Sequence, residues 1–115
     1  MNEDIIKMLD IYKTYEFDWM GQKIESLSDL TRHHIVKKQY DGMDDINNYA
    51  LLTTYSHHLI HYLEDNYNKE YKYINNMFLE LNDSKMPPSE EYFNNILSVL
   101  KKVKKDIKNK RRKKK

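Results

Sequence analysis

All five histidines of this 115-residue chain fall within less than a third of its length. They form an adjacent pair, His33 and His34, and a second group in which His57 and His61 stand four residues apart with His58 beside the first. Imidazole is the side chain whose ordinary pKa lets it act near pH 7 as a neutral metal ligand or as a proton acceptor. This concentration of imidazoles predicts a metal-binding or proton-transfer site.

Two short strands and a helix are predicted to carry these histidines. The apolar, β-compatible run LTRHHIV occupies residues 30–36, and YALLTT occupies residues 49–54, with the turn dipeptide DG between them. Ser56 stands where an N-cap would, ahead of a helix beginning at His57. Residues four apart share a helix face, whereas adjacent strand residues point to opposite sides. The adjacent pair can therefore serve one site only where the first strand ends or bends.

Helices are predicted on both sides of the histidine segment. Residues 2–20 are expected to form one helix capped by Asn2 and stopped by Gly21, with Tyr15 and Trp19 either packed on the domain or contacting DNA.

After the histidines, a helix that Asn66 or Asn68 divides is followed by a linker at 82–88 and by a last helix starting at Ser89. Apolar residues repeat every three or four positions in both helices (Tyr67, Tyr71, Ile74, Phe78 and Leu81; then Phe93, Ile96, Leu100, Val103 and Ile107). These stripes predict a helical hairpin, which either completes the core of a monomer or pairs with a second copy in a homodimer.

Length and composition predict one domain over residues 1–100 and a basic segment over residues 101–115. The chain has no cysteine, which excludes disulfides, thiolate metal sites and thiol nucleophiles. No apolar run reaches the roughly 20 residues that span a bilayer, and the acidic N-terminus is unlike a signal peptide. We therefore expect a cytoplasmic protein with no membrane partner.

The charge of the chain is strongly divided. Residues 101–115 hold eleven of the twenty Lys and Arg side chains and one acid, whereas the preceding hundred residues hold nine basic and seventeen acidic side chains. A run such as Lys110, Arg111 and Arg112 is expected to bind polyanions through counterion release, without reading sequence.

The order of the histidines and one asparagine resembles the signature of the HNH endonucleases. His33-His34 is followed by Asn48, then after nine residues by His57 and four residues later by His61. The resemblance covers residues 30–63. Its multi-point spacing is more specific than two histidines four residues apart.

The resemblance implies an α+β, mostly helical fold, with a ββα-metal motif embedded between an N-terminal helix and a C-terminal helical hairpin. It implies that His33, His57 and His61 are metal ligands, that His34 is the general base, and that Asn48 fixes the loop orienting His34. The implied reaction is metal-dependent hydrolysis of DNA phosphodiester bonds, with Mg²⁺ or Mn²⁺ in use and with Zn²⁺ or Ni²⁺ also able to bind. Small free-standing members are typical of phages and bacterial mobile elements.

Departures from the family pattern lie outside this set. Thr53 and Ser56 replace two cysteines that hold a structural zinc in many members, so the flanking helices must hold the motif together. Arg32, Lys37 and Lys38 flank the histidine pair and are either phosphate contacts or ordinary solvated charges. The acidic body favours an alternative function, a non-catalytic module of the same fold that binds nucleic acid or protein.

Overall fold

The computed structural model describes residues 2–113, except for the side chains of Arg112 and Lys113. It is an α+β fold, mostly helical, with one small sheet, as expected. Its elements are α1 (Glu3–Tyr12), β1 (Leu30–His34), β2 (Tyr49–Thr53), α2 (Thr54–Asn66), α3 (Asn68–Ser84) and α4 (Glu90–Lys113), with short 3-10 turns at Leu27–Asp29, Lys38–Tyr40 and Ile46–Asn48.

The two strands form an antiparallel hairpin in which Leu30 lies opposite Thr53 and His34 lies opposite Tyr49. Every residue of β2 is buried, whereas in β1 only Leu30 and His33 are buried and Arg32 is exposed. A two-stranded ribbon is marginal in water, so its stability depends on the helices that cover it.

The N-terminal helix is shorter than predicted. It ends at Tyr12, because Lys13 adopts a left-handed conformation (φ 54°) and its N–H donates to the Leu9 carbonyl. Gly21 does not stop a helix but completes a turn, with φ +80°, in which its N–H donates to the Asp18 carbonyl. Trp19 is 0% exposed, so the alternative of direct DNA contact by Trp19 is wrong.

A buried carboxylate joins this turn to the histidine helix. Asp18 accepts hydrogen bonds from the N–H groups of Met20 and Gln22, and from both the N–H and the hydroxyl of Thr53. Thr53 in turn caps α2 by accepting from the Ser56 N–H at 3.2 Å. The predicted Ser56 cap is therefore wrong, and α2 begins three residues before His57.

The break between α2 and α3 is confirmed at Tyr67, which lies between Asn66 and Asn68. Ser89 starts the last helix as predicted, since its hydroxyl accepts from the Tyr92 N–H. The predicted linker is wrong at its beginning, because α3 continues to Ser84. Asn82 lies fully buried in its last turns, where its amide donates to the carbonyls of Ile46 and Tyr49.

The apolar stripes of α3 and α4 are buried in the chain's own core. Ile74, Phe78 and Ile96 are fully enclosed there, together with Trp19, Leu30 of β1 and the apolar residues of β2. Tyr67, Phe93 and Ile107 of the same stripes are partly buried, and pairing with a second copy stays a prediction. Among the described helices, none combines the length and apolarity that a membrane span requires.

Candidate metal centre and the adjoining polar network

Three histidines converge between the hairpin and α2. His33 comes from β1, and His57 and His61 come from successive turns of α2. One ring nitrogen from each of the three lies within 4.8 Å of those of the other two. The rings of His57 and His61 stack with centroids 5.0 Å apart, and that of His33 meets them edge-on at 5.6 and 5.9 Å.

His33 is the buried member of this cluster, with 3% of its surface exposed. Its Nε2 lies 3.1 Å from the Asn75 Oδ1, and the Asn75 amide nitrogen donates to the Ile35 carbonyl at 2.7 Å. Its Nδ1 is buried and has no hydrogen-bond partner within the described residues. Burial lowers the pKa of His33 to about 4, so the ring is neutral at pH 7.

His57 is half-buried and lies against the strand. Its Nδ1 is 2.7 Å from the hydroxyl of Thr31, which also donates to the Leu52 carbonyl at 2.8 Å. Burial lowers the pKa of His57, and the neighbouring His61 lowers it further. The ring is therefore biased towards the neutral form that a metal requires.

His61 is the exposed member, and its Nδ1 lies 3.7 Å from the Glu64 carboxylate. Glu64 also contacts the Lys37 ammonium. Burial by itself would raise the pKa of Glu64, but the hydrogen bond and charge of Lys37 outweigh it and lower that pKa. A carboxylate behind a ligating histidine is a common outer-shell arrangement in metal sites.

These residues fit a divalent cation. Neutral imidazoles suit Zn²⁺, Ni²⁺ and other transition metals, and three protein ligands leave a coordination position open for water or substrate. A buried ring nitrogen without a partner is costly unless something occupies it. The unpartnered Nδ1 of His33 is consistent with a metal ligand.

His34 lies on the other face of the hairpin, because side chains alternate along β1. Its Nε2 is 3.0 Å from the Asp44 Oδ1, and the same oxygen accepts from the Tyr49 hydroxyl at 2.6 Å. The hydrogen bonds from Tyr49 and His34 hold the pKa of Asp44 well below its usual range. Burial and the Asp44 carboxylate together raise the pKa of Tyr49 to about 12.

Asn48 closes the loop between the strands. Its side-chain oxygen accepts from the Val36 N–H, and its side-chain nitrogen donates to the carbonyls of Val36 and Met43, each at 2.8 Å. Its own carbonyl accepts from the Ile35 N–H at 2.9 Å. Asn48 thereby fixes the chain on both sides of the loop that carries Asp44.

The basic residues near the histidines are engaged in ion pairs. Lys38 lies 3.4 Å from Asp44 and Arg32 lies 3.6 Å from Asp4, while Lys37 contacts Glu64. A phosphate would have to compete with these carboxylates for the three side chains.

The basic end of α4 is helical as far as Lys113. Lys110 pairs with Asp106 at 3.2 Å and lies over the ring of Tyr67, and Arg111 is exposed. The side chain of Arg112 falls outside the described part of the chain.

Sequence reasoning missed the partners of the histidines. Thr31 lies two residues before His33 on the same strand face, so strand periodicity could have indicated it. Asn75 lies in α3, 42 residues from His33, and only the packing of α3 against the hairpin brings the two together. Asp44 lies in a loop, where no periodicity predicts a contact.

Comparisons of the chain with protein-family models, with curated proteins and with solved structures found no match.

Proposed function

We propose that the protein is a metal-dependent endonuclease that hydrolyses DNA phosphodiester bonds. The observation that carries the proposal is the convergence of three imidazoles, one with a buried and unpartnered nitrogen, beside a strand that ends in a further histidine. His33, His57 and His61 would hold one divalent cation. When bound, such a cation supplies positive charge to a non-bridging phosphate oxygen and to the leaving oxygen.

The proton acceptor in this proposal is His34. If its Nε2–H donates to Asp44, the other ring nitrogen carries the lone pair that can take a proton from an attacking water. The contact with Asp44 fixes this orientation. Asn48 supports the pair by holding the loop from which Asp44 projects.

The basic residues would contact the backbone of the DNA. Arg32, Lys37 and Lys38 surround the histidine pair, and the basic end of α4 offers exposed lysines such as Lys101, Lys104 and Lys108. Contacts of this kind bind phosphates without reading the base sequence.

Plasmid nicking tests the proposal. Supercoiled DNA is incubated with the protein and Mg²⁺, Mn²⁺ or Ni²⁺, with EDTA as a control. We expect His34→Ala to lower the nicking rate by roughly two to four orders of magnitude, the usual contribution of a general base. His58→Ala is the matched control, since His58 is exposed and lies outside the cluster. Equal rates for the wild type and both variants would contradict the role of His34.

A second candidate function is a non-catalytic metal-binding module that engages nucleic acid or protein. The placement of His34 favours it, because the residue faces away from the three converging imidazoles and is already bound to Asp44. Metal binding by the wild type, together with DNA binding but no metal-dependent nicking, would favour this module over the nuclease.

A further inference from the structure

In two of the candidate ligands, one ring nitrogen is already hydrogen-bonded to another side chain, which leaves the other nitrogen for a metal. The partners of these nitrogens are Asn75 for His33 and Thr31 for His57. Each partner is itself bound to a backbone carbonyl. A carbonyl oxygen can only accept a hydrogen bond. The side chain between the carbonyl and the ring must therefore donate to the carbonyl, and this fixes the direction of its second hydrogen bond, to the ring.

The first chain of bonds begins at the Ile35 carbonyl. Because this oxygen accepts from Asn75 at 2.7 Å, the amide nitrogen of Asn75 faces Ile35 and its oxygen faces His33. That oxygen is an acceptor, so the Nε2 of His33 must carry the proton. The lone pair of the ring is therefore on Nδ1, which is the nitrogen buried without a partner.

The second chain begins at the Leu52 carbonyl. It accepts the single hydroxyl proton of Thr31 at 2.8 Å, so the hydroxyl oxygen can only accept from His57. The Nδ1 of His57 must then carry the proton, and its lone pair is on Nε2. Two histidines of one cluster are thus held in opposite tautomers.

We propose that the donor set is mixed, with Nδ1 of His33 and Nε2 of His57, and that Asn75 and Thr31 are the positioning residues that fix it before a metal arrives. The inference rests on the proposed metal centre and is independent of whether the protein cleaves DNA. It makes α3, which the sequence motif does not include, a structural part of the site.

The test in the metal-free protein is the tautomeric state of each ring. Two-bond ¹H–¹⁵N correlation spectra near neutral pH distinguish a protonated ring nitrogen from one that carries a lone pair. We expect His33 to be protonated on Nε2 and His57 on Nδ1. The same tautomer for both rings, or rapid averaging between tautomers in both, would overturn the proposal.

The test with metal uses Ni²⁺ or Zn²⁺ alone, titrated calorimetrically into matched variants. Asn75→Ala should weaken binding about 10- to 100-fold, the usual effect of removing an outer-shell partner. Asn76→Ala, an exposed neighbour in the same helix, should leave the affinity unchanged.

Thr31→Val should have a similar effect, and Thr31→Ser, which keeps the hydroxyl, should restore both the affinity and the His57 tautomer. Circular dichroism identifies a variant that fails to fold. If a variant fails to fold, the tautomers measured in the wild type decide whether the proposal holds. Failure of the wild type to bind either metal, or wild-type affinity in both Asn75→Ala and Thr31→Val, would overturn the proposal. Absence of nicking would count against the proposed function and leave this inference intact.

Discussion

The two faces of the β1–β2 hairpin give adjacent histidines opposite surroundings. On the inner face, His33 is almost completely buried and its hydrogen-bond partner is the neutral amide of Asn75. On the outer face, His34 is 32% exposed and lies among charges, with Asp44 bound to it and Lys38 beside that carboxylate. Strand alternation alone produces this separation.

Under the proposed function, this difference would divide two chemical tasks between neighbouring residues. Burial keeps His33 neutral, which is the state that a metal ligand needs. The Asp44 carboxylate orients the ring of His34, which suits an imidazole that exchanges protons. The inner face is thus suited to hold a cation, and the outer face is suited to handle a proton or a phosphate.

Removing the inner ring should have the largest effect. We expect His33→Ala to weaken Ni²⁺ or Zn²⁺ binding by more than the roughly 100-fold that outer-shell changes reach, because a direct ligand is lost. Calorimetric titration measures the change, with His34→Ala as the matched control from the outer face. Equal losses in the two variants would mean that the two faces do not divide the work.

Acid should destabilise the metal-free protein through the inner face. The pKa of His33 is about 4 in the folded chain against 6.5 for a free histidine, so the unfolded chain binds the proton more readily. The free energy of unfolding should therefore fall as the pH drops from about 6.5 to about 4, by up to about 3 kcal/mol for this group. Above about pH 6.5, the contribution of His33 should be constant.

Urea unfolding at several pH values measures this dependence. His33→Asn should reduce the pH dependence and leave the smaller part that His57 contributes, and His58→Asn, which changes an exposed histidine, should not alter it. An unchanged slope in His33→Asn would show that the buried ring is not its source.

Asn48 holds the loop that connects the two strands, and its replacement should affect the stability of the fold more than metal binding. Asn48 is itself buried, and Asn48→Ala removes its three hydrogen bonds to the backbone of Val36 and Met43. We expect a loss of about 2 kcal/mol in the free energy of unfolding, with metal affinity unchanged. Asn76→Ala is the control for an exposed asparagine. A loss of metal affinity in Asn48→Ala would show that the two faces are coupled.

The outer ion pairs should contribute least. Arg32 lies 3.6 Å from Asp4 and 5.1 Å from the centre of the Tyr49 ring, and it is substantially exposed. We expect Arg32→Gln to change the free energy of unfolding by about 1 kcal/mol or less, because exposed ion pairs contribute little. A much larger loss in urea unfolding would make the outer face a structural element as well.

Local signals predicted the strands, the break near Tyr67 and the helix start at Ser89, because each depends on residues close in sequence. They failed at residues 13–20, where the apolar stripe continued but Lys13 left the helical conformation. Trp19 and Met20 lie in a turn and are nonetheless buried, because tertiary packing covers them.

The candidate site divides in the same way. The spacing of four residues correctly predicted that His57 and His61 share a helix face. Strand alternation correctly predicted that His33 and His34 point to opposite sides. The partners Asn75 and Asp44 depend on how α3 and the loop fold back onto the hairpin. No local pattern in the sequence contains that information.

The Asp18 carboxylate, fully enclosed and accepting four hydrogen bonds, has a consequence for how the molecule opens. Helix ends ordinarily fray first, and their amides exchange with deuterium soonest. Fraying at the start of α2 is opposed, because releasing Thr53 would deprive a buried carboxyl group of two of its four hydrogen bonds. The Thr53 amide, at the end of β2, should therefore exchange as slowly as the amides in the middle of that strand, and the start of the helix that presents His57 should open late.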